Sequence, residues 1–182
     1  VLDLHKVRYV VIGGLGAVLH GSPIVTQDVD ICPARDRENL DRLAAALREL
    51  KARLRVAGVP EGIPFPYEGA FLSNVQLLNL STPFGDLDLS YEPAGTTGYG
   101  DLERNAVIYE IAGRKVAVAS LDDIIRSKEA ANREKDRAFA KALLETGIVD
   151  PAHLVERINL LPRGIDEPRR RQMIDWIRRS AA

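Results

Sequence analysis

Cysteine, histidine and aromatic residues are scarce in this 182-residue sequence. It contains one cysteine, Cys32, and three histidines, and aromatic residues make up 5% of the chain. A lone cysteine cannot form an internal disulfide, and the widely separated histidines (His5, His20 and His153) do not have the spacing of zinc ligands. These shortages argue against zinc chemistry and thiol catalysis.

Long apolar segments are also missing. No run is long enough to span a membrane, and no signal-peptide pattern appears at the start, where Val1 leaves the natural N-terminus open. We therefore expect a cytoplasmic protein with no membrane partner. With 46% hydrophobic residues, the chain can still bury a substantial core.

What is present includes a dense pattern near the start of the chain. An aromatic and β-branched run, residues 9–12, predicts a buried strand that ends at two glycines. Residues 17–20 suggest a short helix, which a flexible turn containing Gly21 and Ser22 closes. Exposed N–H groups and a hydroxyl in such a turn can approach a phosphate closely. Gly21 and Ser22 are therefore candidate nucleotide-binding residues.

Two carboxylates follow this turn. Side chains alternate between the faces of a strand, so Thr26, Asp28 and Asp30 share one face. Two like charges so close together are unfavourable unless a cation lies between them. Magnesium prefers oxygen ligands and completes its shell with water and phosphate oxygens. Asp28 and Asp30 are therefore predicted metal ligands; a solvated edge strand is the alternative.

A second acidic pair occurs in a strand predicted over residues 86–91. A two-metal phosphoryl-transfer site needs a third acidic group, which completes the ion cage and accepts the proton of an attacking hydroxyl. Asp88 is the predicted third group because it lies within the strand between two leucines. Asp86 directly follows a turn, so we expect it to cap that turn or to remain solvated.

The other elements expected before residue 120 are structural. Leucines at helical spacing predict an amphipathic helix over residues 36–54, and repeated prolines and glycines indicate an irregular loop over 58–69. A further strand is expected over 75–81, and a hairpin over 107–118. Residues 1–119 are thus predicted to form an α/β catalytic core.

Residues 120–182 are predicted to be helical and to pack on that core. Ser120 caps a helix in which Lys128 lies on the same face as the apolar Leu121. An ammonium group there is costly unless it reaches a cleft or an anion, so Lys128 is a candidate phosphate ligand. A lysine that extends its charged end to the surface and forms ion pairs is the alternative.

The last twenty residues are locally basic although the net charge of the chain is −1. Arginine side chains contact phosphates through forked donors, so this segment predicts an RNA-binding surface. A solvated helix face is the alternative. The candidate RNA-binding residues are Arg169, Arg170, Arg171 and Arg178.

Together, Gly-Ser at 21–22, Asp-x-Asp at 28–30 and the later Asp88 resemble the polymerase-β-like nucleotidyltransferase superfamily. The stretch from Gly13 to Asp30, the Phe-Gly-Asp-Leu-Asp-Leu strand and the segment 120–136 (SLDDIIRSKEAANREKD) are similar to the AbiEii/MenT group of toxin–antitoxin nucleotidyltransferases. This resemblance covers residues 8–140. It implies a mixed sheet flanked by helices, two magnesium ions, and transfer of a nucleoside monophosphate from an NTP (ATP, CTP, GTP or UTP) to the 3′ end of tRNA, which blocks translation.

The resemblance also implies roles for individual residues. Ser22 would contact the triphosphate, Asp28 and Asp30 would hold the ions, Asp88 would help activate the acceptor hydroxyl, and Lys128 would hold phosphates. The family's downstream helix motif matches Arg133, Lys135 and Asp136. Some related toxins are silenced when a kinase antitoxin phosphorylates the residue two positions before the first metal aspartate, here Thr26. The chain departs from the family at Ile24 and Val25, where an arginine is common.

Three other functions fit parts of the sequence. A small-molecule nucleotidyltransferase of the antibiotic-modifying kind would use the same three aspartates. A dinucleotide-binding protein is suggested by Gly14-Leu-Gly16, but Leu19 replaces the third glycine of that motif. A non-catalytic binding protein or antitoxin with this fold is expected to lose a carboxylate, and none is lost here.

Overall fold

The computed structural model describes residues 1–131, 133, 136, 139, 142, 144–147, 149–159 and 167–180. The strands are β1 (Tyr9–Ile12), β2 (Asp28–Pro33), β3 (Arg53–Val56), β4 (Val59–Ile63), β5 (Leu77–Thr82), β6 (Gly85–Ser90), β7 (Val107–Ile111) and β8 (Arg114–Val118). Within the described residues, the helices are α1 (Gly13–Leu19), α2 (Arg37–Glu49), α3 (Gly69–Ser73), α4 (Tyr99–Glu103), α5 (Leu121–Ala131), α6 (Pro151–Asn159) and α7 (Glu167–Ser180).

The strands form one mixed sheet in the order β4-β3-β5-β6-β2-β1-β8-β7. Pairs β2–β6 and β1–β8 are parallel, and the remaining pairs are antiparallel. This confirms the predicted α/β class, with a mixed sheet flanked by helices and a helical C-terminal part. None of the helices in the described ranges is both long and apolar enough to cross a membrane.

The two faces of the sheet bury different sets of side chains. One face carries Ile31, Leu80 and Leu89 into an apolar cluster with the leucines of α2 and with α3. The opposite face carries Val10 and Cys32 into a second cluster, which includes α5, α6 and α7. Because side chains alternate along β2, Asp28 and Asp30 lie on the same face as Cys32. The second face therefore positions the acidic residues.

That second cluster also bears on the predicted division of the chain at residue 119. The boundary falls between β8 and α5, and the cluster contains side chains from both sides of it. Side chains of α5, α6 and α7 thus lie in one cluster with side chains of the sheet. The division into two units stays a prediction.

Two local predictions were wrong. The helix predicted over 36–54 ends at Glu49, and Leu54 lies in β3, where its apolar side chain still faces the core. The predicted loop over 58–69 contains β4, which pairs with β3 around a turn at Gly58 (φ 80°). Leucine spacing alone did not separate the end of a helix from a following strand, because both place apolar residues on the same core.

Candidate active site

Three aspartates meet on neighbouring strands. The parallel pairing of β2 and β6 sets Asp28 opposite Asp86 and Asp30 opposite Asp88. One carboxylate oxygen each from Asp28, Asp30 and Asp88 lies within 4.8 Å of the other two, and all three residues are half-buried. The strand register therefore brings together the three acidic residues predicted from the sequence.

The three carboxylates disfavour each other's charges. Burial, together with the neighbouring Asp28 and Asp88, raises the pKa of Asp30 to about 6. Burial likewise raises the pKa of Asp88, although a nearby arginine opposes this. A divalent cation would relieve this repulsion, and an all-oxygen set of half-buried carboxylates fits magnesium. Asp28, Asp30 and Asp88 are the residues that would hold it.

The glycine pair after β1 is required by close packing against these residues. A Cβ atom on Gly13 would lie 2.1 Å from Oδ2 of Asp30, and one on Gly14 would lie 2.7 Å from Cβ of Thr26. Gly13 also has a φ of 64°, which favours glycine. The pair therefore begins α1 and lets β2 approach it closely.

Thr26 is directly linked to the metal-binding residues. Its hydroxyl donates a hydrogen bond to Oδ1 of Asp28. Thr26 also lines the large cavity described next. Any group added to this hydroxyl would consequently stand beside Asp28.

The three aspartates lie on the wall of a cavity of 1010 Å³. On one side of them, the wall is formed by α5 and the residues after it, including Ser127, Lys128, Arg133 and Phe139. We call this the helical side. On the other side the wall is formed by the open part of the sheet, which carries Arg55, Leu77, Asn79 and Ser90. We call this the sheet side.

Asp136 organises the cations of the helical side. It is fully buried and accepts hydrogen bonds from Nζ of Lys128 at 3.2 Å and from the guanidinium of Arg133 at 2.5 Å. Burial would raise the pKa of Asp136, but these two cations outweigh it and lower the pKa. Lys128 also lies 4.6 Å from the ring centroid of Phe139. Two positive charges are thus held on one side of the three aspartates.

Arg55 is a residue of the sheet side that the sequence did not reveal. Its Nη2 donates to both oxygens of Asp88, at 2.8 and 2.9 Å, and its Nη1 forms an ion pair with Asp86. Asp86 was expected to cap a turn or to stay solvated, and its carboxylate instead pairs with this arginine. The alternation of polar and apolar residues from Arg53 to Arg55 could have indicated this strand. It was missed because the predicted helix was extended to Leu54.

Other predicted residues lie apart from the cavity wall. Ser22 is buried, and its Oγ accepts a hydrogen bond from the N–H of Ile24 at 3.1 Å. Gly21 adopts a φ of 98°. Neither residue belongs to the cavity lining formed by the described part of the chain. Lys135 falls outside the described residues.

The predicted RNA-binding arginines lie in α7. Arg171 pairs with Glu167 at 3.1 Å, Arg170 lies 3.9 Å from the same carboxylate, and Arg178 is exposed near the end of the helix. Arg169 is part of α7, but its side chain is outside the described atoms. The described lining of the cavity contains none of these residues.

No family model matches the chain, and no curated protein matches its sequence. Solved structures do resemble it. The lincosamide antibiotic adenylyltransferase LnuA, in its lincomycin-bound crystal structure, matches with a TM-score of 0.51 and 16% identity over 81% of this chain and 91% of LnuA. A Thermotoga maritima protein proposed to be a nucleotidyltransferase matches with a TM-score of 0.43 and 18% identity, over 84% of this chain and 81% of that one. The likeness to LnuA shows that the chain has a nucleotidyltransferase fold.

Proposed function

We propose that this protein is a magnesium-dependent nucleotidyltransferase that transfers NMP from an NTP to a hydroxyl group. The observation that carries the proposal is the meeting of Asp28, Asp30 and Asp88 on the wall of a cavity that also holds two fixed cations. Bound magnesium, as two ions, would neutralise the triphosphate and the charge that develops during transfer. The three aspartates would hold these ions.

Side chains of the protein accept the proton and bind the phosphates during transfer. The acceptor oxygen attacks the α-phosphorus, the bond to the bridging oxygen of the β-phosphate breaks, and pyrophosphate leaves. Asp88 takes the proton of the acceptor hydroxyl, a role consistent with its raised pKa. Lys128 and Arg133, oriented by Asp136, bind the phosphates. They replace the arginine that the family often has where this chain has Ile24 and Val25.

For the acceptor we propose the 3′ end of tRNA, in a cytoplasmic toxin that blocks translation. This rests on the resemblance of residues 120–136 to the AbiEii/MenT group and on the Lys128–Asp136 pair within that segment. Gly21 and Ser22 would support the triphosphate through the backbone of the turn. Lys135 belongs to the same motif.

A small-molecule acceptor is the second candidate. The specific observation in its favour is the match to LnuA, which covers 91% of that lincosamide adenylyltransferase. Both candidates require the same three aspartates, and both bind the triphosphate on the helical side. They differ only in the acceptor that enters the sheet side.

One experiment separates them. The purified protein is incubated with magnesium, each of the four labelled NTPs, and either total tRNA or lincomycin, with Asp28→Asn as the matched inactive control. Label on tRNA from the unmodified protein alone supports the toxin activity. Label on lincomycin with none on tRNA supports the small-molecule activity. No transfer to either acceptor, together with no labelled NTP bound in the presence of magnesium, contradicts a nucleotidyltransferase.

We also propose that phosphorylation of Thr26 by a cognate antitoxin kinase silences the enzyme. The hydroxyl already contacts Asp28, so a phosphate there would place negative charge against the metal ligands and the incoming triphosphate. Thr26→Glu should therefore lose most transfer, and Thr26→Ser should retain it and remain sensitive to the antitoxin. An antitoxin that neutralises Thr26→Ala as well as the natural protein would contradict this mechanism.

A further inference from the structure

A second cavity lies at the edge of the sheet, apart from the candidate active site. Its volume is 640 Å³, and it is formed by the end of α2, the β3–β4 hairpin and the β5–β6 turn. Arg48, Lys51 and Arg53 line it, and Glu61 is the one acidic residue in its described lining. We call this cavity the basic cleft. Its net positive charge fits an anionic ligand.

Lys51 occupies a position where the backbone favours glycine. Its φ is 51°, and it follows the end of α2. The N–H of Lys51 donates to the carbonyl of Arg48, and the N–H of Ala52 donates to the carbonyl of Leu47, both at 3.0 Å. This is the Schellman arrangement, in which glycine is the usual residue. Lysine at this strained position carries an exposed side chain beside the basic cleft.

An aromatic ring projects beside the basic cleft. Phe84 is 82% exposed, in the turn between β5 and β6, and its neighbour Pro83 lines the cleft. Tyr67 lines the cleft as well, with Arg48 near its ring. Cations next to an exposed aromatic ring are the combination that binds single-stranded nucleic acid, by contacts to phosphates and by stacking of bases.

Strand β3 connects the basic cleft to the candidate active site, since Arg53 lines the cleft and Arg55 lines the cavity of that site. Arg53 and Arg55 lie two residues apart on β3, so their side chains leave the same face of the sheet. The guanidinium of Arg53 is fixed by the carbonyls of Glu61 and Gly62, and that of Arg55 reaches Asp88. Guanidinium groups therefore lie along β3 from the cleft to Asp88, where that of Arg55 is paired with Asp86 and Asp88.

We propose that the basic cleft and Phe84 bind the single-stranded 3′ segment of an RNA acceptor, which runs past Arg53 and Arg55 and places its terminal hydroxyl at Asp88. This inference rests on the proposed function, since it names the surface that receives the acceptor. The inference assigns RNA binding to the edge of the sheet, whereas the sequence predicted RNA binding by the arginines of α7. Arg171 of that group is already paired with Glu167.

The test is a binding measurement that needs no chemistry. Affinity for a fluorescently labelled single-stranded RNA is measured by anisotropy without NTP or magnesium. Lys51→Glu should weaken binding about tenfold and reduce its salt dependence, because a phosphate contact is lost. Phe84→Ala should weaken binding about fivefold or more, because a base loses its stacking partner. Lys115→Glu, the same charge change in β8 near the opposite edge of the sheet, is the matched control and should leave affinity nearly unchanged.

Lys51→Gly separates an RNA-binding role from a structural one. It should weaken RNA binding while raising the melting temperature by about 2 °C, because glycine relieves the positive φ. Unchanged RNA affinity, whatever the change in melting temperature, would show that the Lys51 side chain does not contact RNA, which overturns the inference.

Failure of this inference can be told from failure of the proposed function. If the protein transfers NMP to RNA but Lys51→Glu and Phe84→Ala leave both RNA affinity and the KM for RNA unchanged, the inference is wrong and the function stands. The same holds if Arg178→Glu alone weakens binding. If only a small molecule accepts the nucleotide, the inference and the tRNA acceptor are both wrong, and nucleotidyl transfer itself stands. If RNA binds through the cleft but no transfer occurs with any NTP, the proposed function is wrong.

Discussion

Two Asp-x-Asp pairs lie side by side on adjacent parallel strands, and their surroundings differ. Asp28 and Asp30 in β2 are set opposite Asp86 and Asp88 in β6. The β2 pair is approached by two glycines and by the hydroxyl of Thr26. The β6 pair is bound by the guanidinium of Arg55. Among the described residues, a cation is therefore in direct contact with the β6 pair, whereas none forms an ion pair with Asp28 or Asp30.

The difference shows that a motif acquires its chemistry from its neighbours. One oxygen from each of three of the four carboxylates comes within reach of one cation, and Asp86, which is paired with Arg55, is not part of that group. The repeated sequence pattern alone gives the two pairs equal status. The strand register and Arg55 distinguish them.

The largest expected effect is a loss of activity that separates Asp86 from the other three aspartates of the two pairs. Asp28→Asn, Asp30→Asn or Asp88→Asn should reduce nucleotidyl transfer by about a thousandfold or more, because each removes a metal ligand or the proton acceptor. Asp86→Asn, the matched change on the same strand, should retain at least about a tenth of the activity, since it loses only an exposed ion pair. Initial rates measured with saturating NTP and magnesium test this. Equal loss in all four variants would contradict the assignment of three metal ligands.

A smaller effect is expected where the glycines approach the β2 pair. In Gly13→Ala the new methyl group would lie 2.1 Å from Oδ2 of Asp30, so either the carboxylate or the strand must move. Transfer should fall about a hundredfold, and stability should fall by about 2 kcal/mol. Gly58→Ala is the control: its φ is also positive, at 80°, but no atom lies within 4 Å of the added Cβ. It should cost about 1 kcal/mol of stability and leave the rate unchanged. Similar rates in both variants would show that the close contact is unimportant.

Local sequence patterns predicted the strands that carry the acidic residues, but they did not predict contacts between residues far apart in the sequence. Alternation in β2 and β6 predicted that Asp28, Asp30 and Asp88 have neighbours of opposite polarity and leave their strands together, because a two-residue period is a local property of a strand, and the structure brings their carboxylates together. The contact between Gly13 and Asp30 depends on the pairing of β1 with β2, which no local pattern specifies. Arg55 reaches Asp88 across β5, and only the strand order, β3-β5-β6, brings the two residues together. The roles assigned to these residues stay predictions.

The pH dependence of the free energy of unfolding should show the effect of the crowded carboxylates of the β2 pair. The pKa of Asp30 is about 6 in the folded protein, against an ordinary value of 3.8, so the folded state binds the proton more tightly. Stability without metal should therefore fall as pH rises from about 4 to about 6, by at most about 3 kcal/mol, and stay low above that range. Asp88 contributes in the same direction.

Denaturant unfolding at a series of pH values, with and without magnesium, measures this effect. Asp30→Asn should flatten the profile between pH 4 and 6, because the titrating group is gone. Magnesium should stabilise the natural protein more at pH 7 than at pH 5, where it competes with the proton on Asp30. A magnesium effect that does not change with pH would show that the ion does not bind Asp30.

The smallest expected effect concerns Arg55, which forms ion pairs with both aspartates of the β6 pair. Magnesium that binds Asp88 must share or displace this guanidinium, whose Nη2 contacts both carboxylate oxygens. Arg55→Gln should therefore tighten magnesium binding about three- to tenfold, a range set by the modest strength of partly exposed ion pairs. Calorimetric titration of magnesium into the protein measures this, and Arg114→Gln, which breaks an exposed pair with Asp3 far along the sheet, is the matched control. If Arg55→Gln instead weakens magnesium binding, the arginine orients Asp88 for the metal, and the two acidic pairs are then both prepared for the ion by their neighbours.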